Sequence, residues 1–319
     1  MMWNLRSIPL IAFWVVFTLL MGGCGQPTKV LEVASPIPRE TKISPNAVKV
    51  NPATDDHPPQ VLTLDYEQPI PVPGSVNTEG AEDSPFITPD GNTLYFFFTP
   101  DANLPAEKQL LDGVTGLYVS NKVDDRWGSP ERIILQDKGR LALDGCEFVQ
   151  GDIMWFCSAR EGYEGIHWFT AEYTDGRWQK WSNADFDPDF KVGELHITSD
   201  GNQLYFASDR PGSKGGLDVW VSNRANGEWG EPVNVAIVNT PDNEGWPAIS
   251  PDGMELWFYR NYAIWRSKSV GGEWQIAEQI ASPLAGEPAL DSAGNLYFVH
   301  HFYQNGSLVE ADIYIARKK

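Results

Sequence analysis

Three arginines stand at a constant interval, with Arg160, Arg210 and Arg260 separated by 50 and 50 residues. Acidic residues recur at a similar period: Glu82 and Asp83, Asp144, Glu194, Glu244 and Glu287. Two chemistries follow from such a pattern. Gathered around one axis, the carboxylates and guanidinium groups would hold a polar ligand by charge-assisted hydrogen bonds. Paired within each repeat, they would be architectural salt bridges. Residues that break the repeat point to a more specific role, and these are His196, Trp246, Asn261, His300 and His301. Trp246 sits between Glu244 and Pro247, where an exposed indole would stack on a sugar ring and a buried one would pack between repeats. The expected ligand-binding set is therefore Glu194, Glu244, Arg160, Arg210, Trp246 and Arg260. No catalytic residue, cofactor or metal ligand is assigned.

Other chemistry-bearing segments give less. Asp185-Phe186-Asp187-Pro188-Asp189 places carboxylates at alternate positions. A calcium loop would continue with Gly and end in Glu, where this chain has Phe190 and His196. Gly212-Ser213-Lys214-Gly215-Gly216 lacks the spacing of a phosphate loop and reads as a connection between strands. No Gly-x-Ser-x-Gly elbow is present. Cys146 and Cys157 flank the turn at 150–152, so either a cross-hairpin disulfide or two buried thiols is consistent with the spacing.

The elements that position these residues are repeated. Turn glycines 91, 151, 201, 253 and 294 each precede a short aromatic strand, such as Leu94-Tyr95-Phe96, Leu204-Tyr205-Phe206 or Leu256-Trp257-Phe258. Asp-Gly between apolar runs is the strongest local hairpin signal. A further strand follows each, and then a turn into Trp127, Trp178, Trp229 and Trp274. Four strand-sized pieces in about 50 residues, five times over, read as the blades of a five-bladed β-propeller. The expected blades are roughly 80–135, 136–190, 191–240, 241–284 and 285–319. The fifth lacks a fourth strand, which Val61-Leu62-Thr63-Leu64 is expected to supply and so close the ring. Val76-Asn77-Thr78 with Glu82 and Pro85 repeats Val238-Asn239-Thr240 with Glu244 and Pro247 at identical offsets. The residues before Val76 should therefore match the fourth strand before Val238.

The Ser-Pro-Asp-Gly turn, Ser208-Asp209-Arg210-Pro211-Gly212, Gly216-Leu217-Asp218-Val219-Trp220 and the Gly-x-Trp-x-x-Pro element resemble TolB-type, WD-like propeller repeats. The likeness covers about three quarters of the chain. It implies the fold, and by similarity partners such as envelope proteins or cell-wall components. It does not fix a function, because propellers host binders, scaffolds and enzymes. Five-bladed propellers include glycoside hydrolases that work through channel carboxylates. A binding module is the leading expectation, with such a hydrolase or a structural envelope scaffold as the alternatives.

The N-terminus has its own logic. Residues 1–23 carry one charge, Arg6, and an apolar run from Ile8 to Met21 that is too short to span a bilayer as a helix. The run ends Met21-Gly22-Gly23-Cys24, which resembles the bacterial lipoprotein box and implies a lipid on Cys24. Residues 24–60 hold seven prolines without apolar periodicity and read as an extended tether. The chain has 24 Lys and Arg against 43 Asp and Glu, for a net charge of −19. That balance excludes a nucleic-acid backbone or an anionic membrane surface as the electrostatic partner. The expected protein is a monomer of the cell envelope, lipid-anchored and facing the periplasm or exterior. Its membrane contact would be through the lipid only, and its partner an envelope protein or polysaccharide.

Overall fold

The computed structural model describes residues 37–187, 189–190 and 192–319. The export segment and Cys24 lie outside the described residues. Nearly every element is a short antiparallel strand, and the turns show why. In Thr88–Asn92 the Asp90 carboxylate accepts from the Thr88 hydroxyl and the Asn92 amide, and Gly91 adopts φ 72°. The same closure recurs at Thr198–Asn202 and at Ser250–Met254. A left-handed position is cheap only for glycine, so Asp-Gly fixes the hairpin and the flanking aromatic alternation follows.

Among the described residues the strands group into five antiparallel units, the first and last joined in one nine-stranded sheet. Their first three strands are Ala81–Ile87, Thr93–Thr99 and Gly116–Val123; Ala142–Gln150, Ile153–Arg160 and His167–Thr174; Val192–Ile197, Gln203–Ser208 and Asp218–Ala225; Glu244–Ile249, Glu255–Arg260 and Ala263–Val270; and Ala285–Leu290, Leu296–Gln304 and Ser307–Ala316. Fourth strands are Glu131–Arg132, Arg177–Asn183, Val233–Asn234 and Glu278–Ser282. The first strands of the five units neighbour one another in a closed cycle, so they surround an axis. The chain is a β-propeller. Its core lies between the sheets, where Phe96, Phe156, Phe206, Phe258 and Phe298, one per unit, are fully buried.

Two expectations for the N-terminal segment are corrected. The fifth unit takes its fourth strand from Ile70–Pro71, paired with Tyr314 and Ile315, and not from 61–64. Gln60–Val61 instead lies outside the fourth unit, against Ala281 and Ser282. The offset between Val76 and Val238 had this information: Ile70–Pro71 precedes Val76 much as Val233–Asn234 precedes Val238. Leu62 and Leu64 are exposed, so the apolar content of 61–64 is a poor guide to pairing.

The second correction is that residues 37–60 are docked. Arg39 is buried with its guanidinium on the first unit, while Lys49 pairs with Glu310 and Asp312 of the fifth. The segment thus straps the seam where Ala81 of the first unit meets Ala311 of the fifth through a single parallel pairing. Its prolines suit a chain that crosses a surface and joins a sheet only at Gln60.

Candidate functional site in the central channel

Every inner strand is irregular at the same level. The register slips between Asp83 and Phe86, Gly145 and Phe148, Val192 and Leu195, Gly245 and Ala248, and Gly286 and Ala289. In four of these bulges the extra residue is left-handed: Ser84, Cys146, Trp246 and Glu287 have φ of 49°, 56°, 49° and 55°. Non-glycine residues hold that conformation only where surrounding structure enforces it. A bulge also re-aims the side chain it displaces. Here the displaced residues line a cavity of about 240 Å³ on the axis, shared with Glu147, Glu194 and His196. Apolar residues such as Phe86, Phe148 and Leu290 also line it.

The cavity is acidic, and no Lys or Arg lines it. Glu147 is 6% exposed and neither of its carboxylate oxygens has a hydrogen-bond partner. Burial raises its pKa well above the usual range. Burial also lifts Glu194 to about 7, partly offset by the Cys146 thiol, which donates to Glu194 Oε1 at 3.6 Å. Glu287 is raised by burial and by the charge of Asp83, and it accepts from the Ser84 amide at 2.6 Å. Burial would raise Asp83 too, but the His301 imidazole and its bond with Glu287 outweigh that and hold it below the normal range. His196 is driven down to about 4 by burial. The site thus divides its carboxyls into one held ionised and several that favour the proton. Trp246 adds an aromatic wall, edge-on to Tyr259 with ring centroids 5.2 Å apart, and its indole N–H is unpartnered.

Of the expected ligand set, the cavity brings together Glu194 and Trp246. The other four lie elsewhere. Arg160 donates to Asp144 at 2.7 Å and stacks on Phe169 and Trp181. Arg260 pairs with Glu244 at 3.4 Å with its guanidinium 3.8 Å from the Trp265 ring centroid. Arg210 pairs with Asp187 at 2.7 Å and lies over Phe206. All three arginines are buried. The equal spacing of the three is also not structural equivalence. Arg260 faces Glu244 across the hairpin, in the register held by Ser158 opposite Asp144. In the third unit Val192 stands at that carboxylate position, so Arg210 takes Asp187 from the inter-unit loop.

The remaining candidates separate similarly. Asp185 is committed to His167 and the Trp168 amide, and Asp187 to Arg210. The Gly212–Gly216 loop folds over Asp218, whose carboxylate accepts from the amides of Lys214 and Gly215. A Cβ on Gly215 would meet the Asp242 carbonyl at 1.8 Å, so the glycine is there for close packing. Cys146 and Cys157 are free thiols. Cys157 pairs across the strands with Gly145, and Cys146 occupies the bulge beyond it, turned toward Glu194. His300 is buried on Asp55 at 2.9 Å, and Asn261 donates to Asp242 at the surface. Glu147 and Ser84 were not singled out from sequence. They sit where the bulges reverse the alternation that sequence pattern relies on.

No family model matches the chain, and no curated protein matches it in sequence. Similarity appears among solved structures. An endo-arabinase from Bacteroides thetaiotaomicron aligns over 78% of this chain and 97% of its own, at 16% identity and a TM-score of 0.51. A gluconolactonase from Xanthomonas campestris aligns over 86% and 98%, at 13% identity and a TM-score of 0.46. A TolB candidate from Agrobacterium tumefaciens aligns over 71% and 72%, at 16% identity and a TM-score of 0.43. These neighbours are β-propellers, and the likeness is one of fold.

Proposed function

We propose that this chain is a TolB-like, five-bladed envelope propeller, lipid-anchored through Cys24, that binds a carbohydrate-containing ligand in its central channel without transforming it. One observation carries the reading. Glu147, whose carboxyl oxygens have no hydrogen-bond partner, and the Trp246 indole line a single cavity. An aromatic face with an unpartnered carboxyl, a donor as well as an acceptor when it holds its proton, suits a ring that is apolar on its face and hydroxylated at its edge. A volume of about 240 Å³ is below the usual span for drug-sized ligands, roughly 300–1,000 Å³, and fits a chain end better than a long segment. Glycan-array and envelope pull-down experiments with the full chain test it, alongside Trp246→Ala. Binding that depends on Trp246 supports the reading, and no binding in either experiment sinks it.

A hydrolase is the second reading, and one observation favours it. Glu194 is poised near neutrality while Asp83 stays ionised, the division of roles that acid–base catalysis uses. Release of a reducing sugar from bound oligosaccharide, lost in Glu194→Gln, would replace the binder by the enzyme.

A further inference from the structure

We propose that Asp83, Glu287 and His301 form a binding site for a divalent transition ion, Zn²⁺ or Mn²⁺, at the channel axis. Asp83 comes from the first inner strand, Glu287 from the bulge of the fifth, and His301 from the strand behind it. The seam between first and last units therefore assembles the set. One ligand atom from each lies within 4.8 Å of the others. Asp83 Oδ1 and His301 Nε2 are 3.7 Å apart, too far for a hydrogen bond. Two ligands at about 2.1 Å from a tetrahedral ion would be about 3.4 Å apart, so this pair needs little movement.

A group outside the cluster also points to a cation. Glu147 is buried and faces the same cavity as Glu287 with both oxygens unpartnered. An ion held by three protein ligands keeps positions for water, and such water would hydrogen-bond to the unpartnered Glu147 carboxyl. Charge leads the same way. Glu147, Glu194 and Glu287 line the cavity without a Lys or Arg among them, while Arg160, Arg210 and Arg260 are committed to Asp144, Asp187 and Glu244. Clustered buried carboxylates need a counter-charge or protons. A set of two carboxylates and one imidazole is short of the six to eight oxygens that calcium prefers, and suits zinc or manganese. The ion would present its open positions to the cavity, where hydroxyl oxygens of a ligand could replace water.

The inference concerns the Asp83–Glu287–His301 cluster and stands without the carbohydrate reading, because the test contains no sugar. The full chain, stripped with a chelator, is titrated by calorimetry with Zn²⁺ and separately with Mn²⁺. One ion per chain is expected. His301→Ala and Asp83→Asn should each weaken binding by about tenfold or more. Bound Mn²⁺ should show a nitrogen coupling from the imidazole in pulsed electron paramagnetic resonance. If His301→Ala fails to fold, that signal in the unmodified chain decides the matter. Absence of binding, binding that survives both substitutions, or bound Mn²⁺ without the nitrogen signal would overturn the assignment.

Discussion

Arg39 Nη1 lies 2.9 Å from Glu82 Oε1, and both side chains are almost free of solvent. The pair completes a repeated motif from outside the repeat. In Val76-Asn77-Thr78 and in Val238-Asn239-Thr240 the asparagine side chain bonds both ways with a neighbouring strand, to Ile313 and Val219 respectively. In both, the threonine amide and hydroxyl donate to the following glutamate, Glu82 or Glu244. Arg260 then pairs with Glu244 and donates to the Val238 carbonyl. Arg39 does both for Glu82 and Val76. Phe98 stands opposite Glu82 where Arg260 stands opposite Glu244, and the Arg39 guanidinium covers the Phe98 ring at 4.8 Å.

Arg39→Ala should therefore destabilise the whole propeller. It strands the Glu82 carboxylate and bares Phe96, Phe98 and Tyr118, whose rings the guanidinium approaches within 5.6 Å. Removing one partner of a buried pair costs about 3–5 kcal/mol. Urea unfolding reads the loss, and Arg39→Ala with Glu82→Gln should recover part of it. A single substitution with no effect would mean that residues 37–60 are only laid against the surface.

The intra-unit arginines predict a separation of stability from binding. Arg260→Met breaks the Glu244 pair and the Trp265 contact, at a cost of about 3–5 kcal/mol. Because Arg260 does not line the cavity, affinity per folded molecule should stay within about twofold. Trp246→Ala should do the opposite, with a small change in melting temperature and a clear loss of ligand. Equal loss of binding in both variants would place the ligand at the arginines instead.

What the sequence made legible was whatever is local. Each Asp-Gly turn closes on its own neighbours, so strand order and repeat length could be read from spacing. The partners of the charges are not local. Glu82 is satisfied from 43 residues upstream and His300 from 245. Residues 37–60 bury single side chains such as Arg39 instead of an apolar face, so they show no period. The cavity escaped for another reason. A bulge moves Ser84, Cys146, Trp246 and Glu287 off the alternation, and no pattern of side-chain types encodes a positive φ. One signal was available: the Val-Asn-Thr motif repeats in the first unit without the arginine that completes it in the fourth, which implies a cation supplied from elsewhere.

Cys146 and Cys157 predict a reactivity pattern. Both are free, and Cys157 is buried. Hydrogen bonding with Cys157 and burial push the Cys146 thiol well above its ordinary value. Thiolate is the reactive form, so alkylation at mild pH should be slow in the folded protein. Denaturation without reductant should then release both thiols to titration. Recovery of neither would show that they bridge.

Opposed titrations at the channel predict a pH dependence that only single variants expose. Burial lifts Glu194 from 4.5 to about 7. A carboxyl with a raised folded pKa contributes fully below its unfolded value, and its contribution is lost as pH climbs to the folded one. Glu194 therefore makes the fold less stable from about pH 4.5 to 7. His196 runs the other way, since burial takes it from 6.5 to about 4. Its neutral ring is favoured in the fold, so stability is lost as pH falls from 6.5 toward 4. In the shared window the two slopes oppose each other. Glu194→Gln removes the first, so its stability relative to the unmodified protein should improve from pH 5 to pH 8 by on the order of 1–3 kcal/mol. His196→Gln should improve in the reverse direction, as pH falls. Urea midpoints at both pH values test this, and parallel shifts in the two variants would mean that neither group titrates inside the fold.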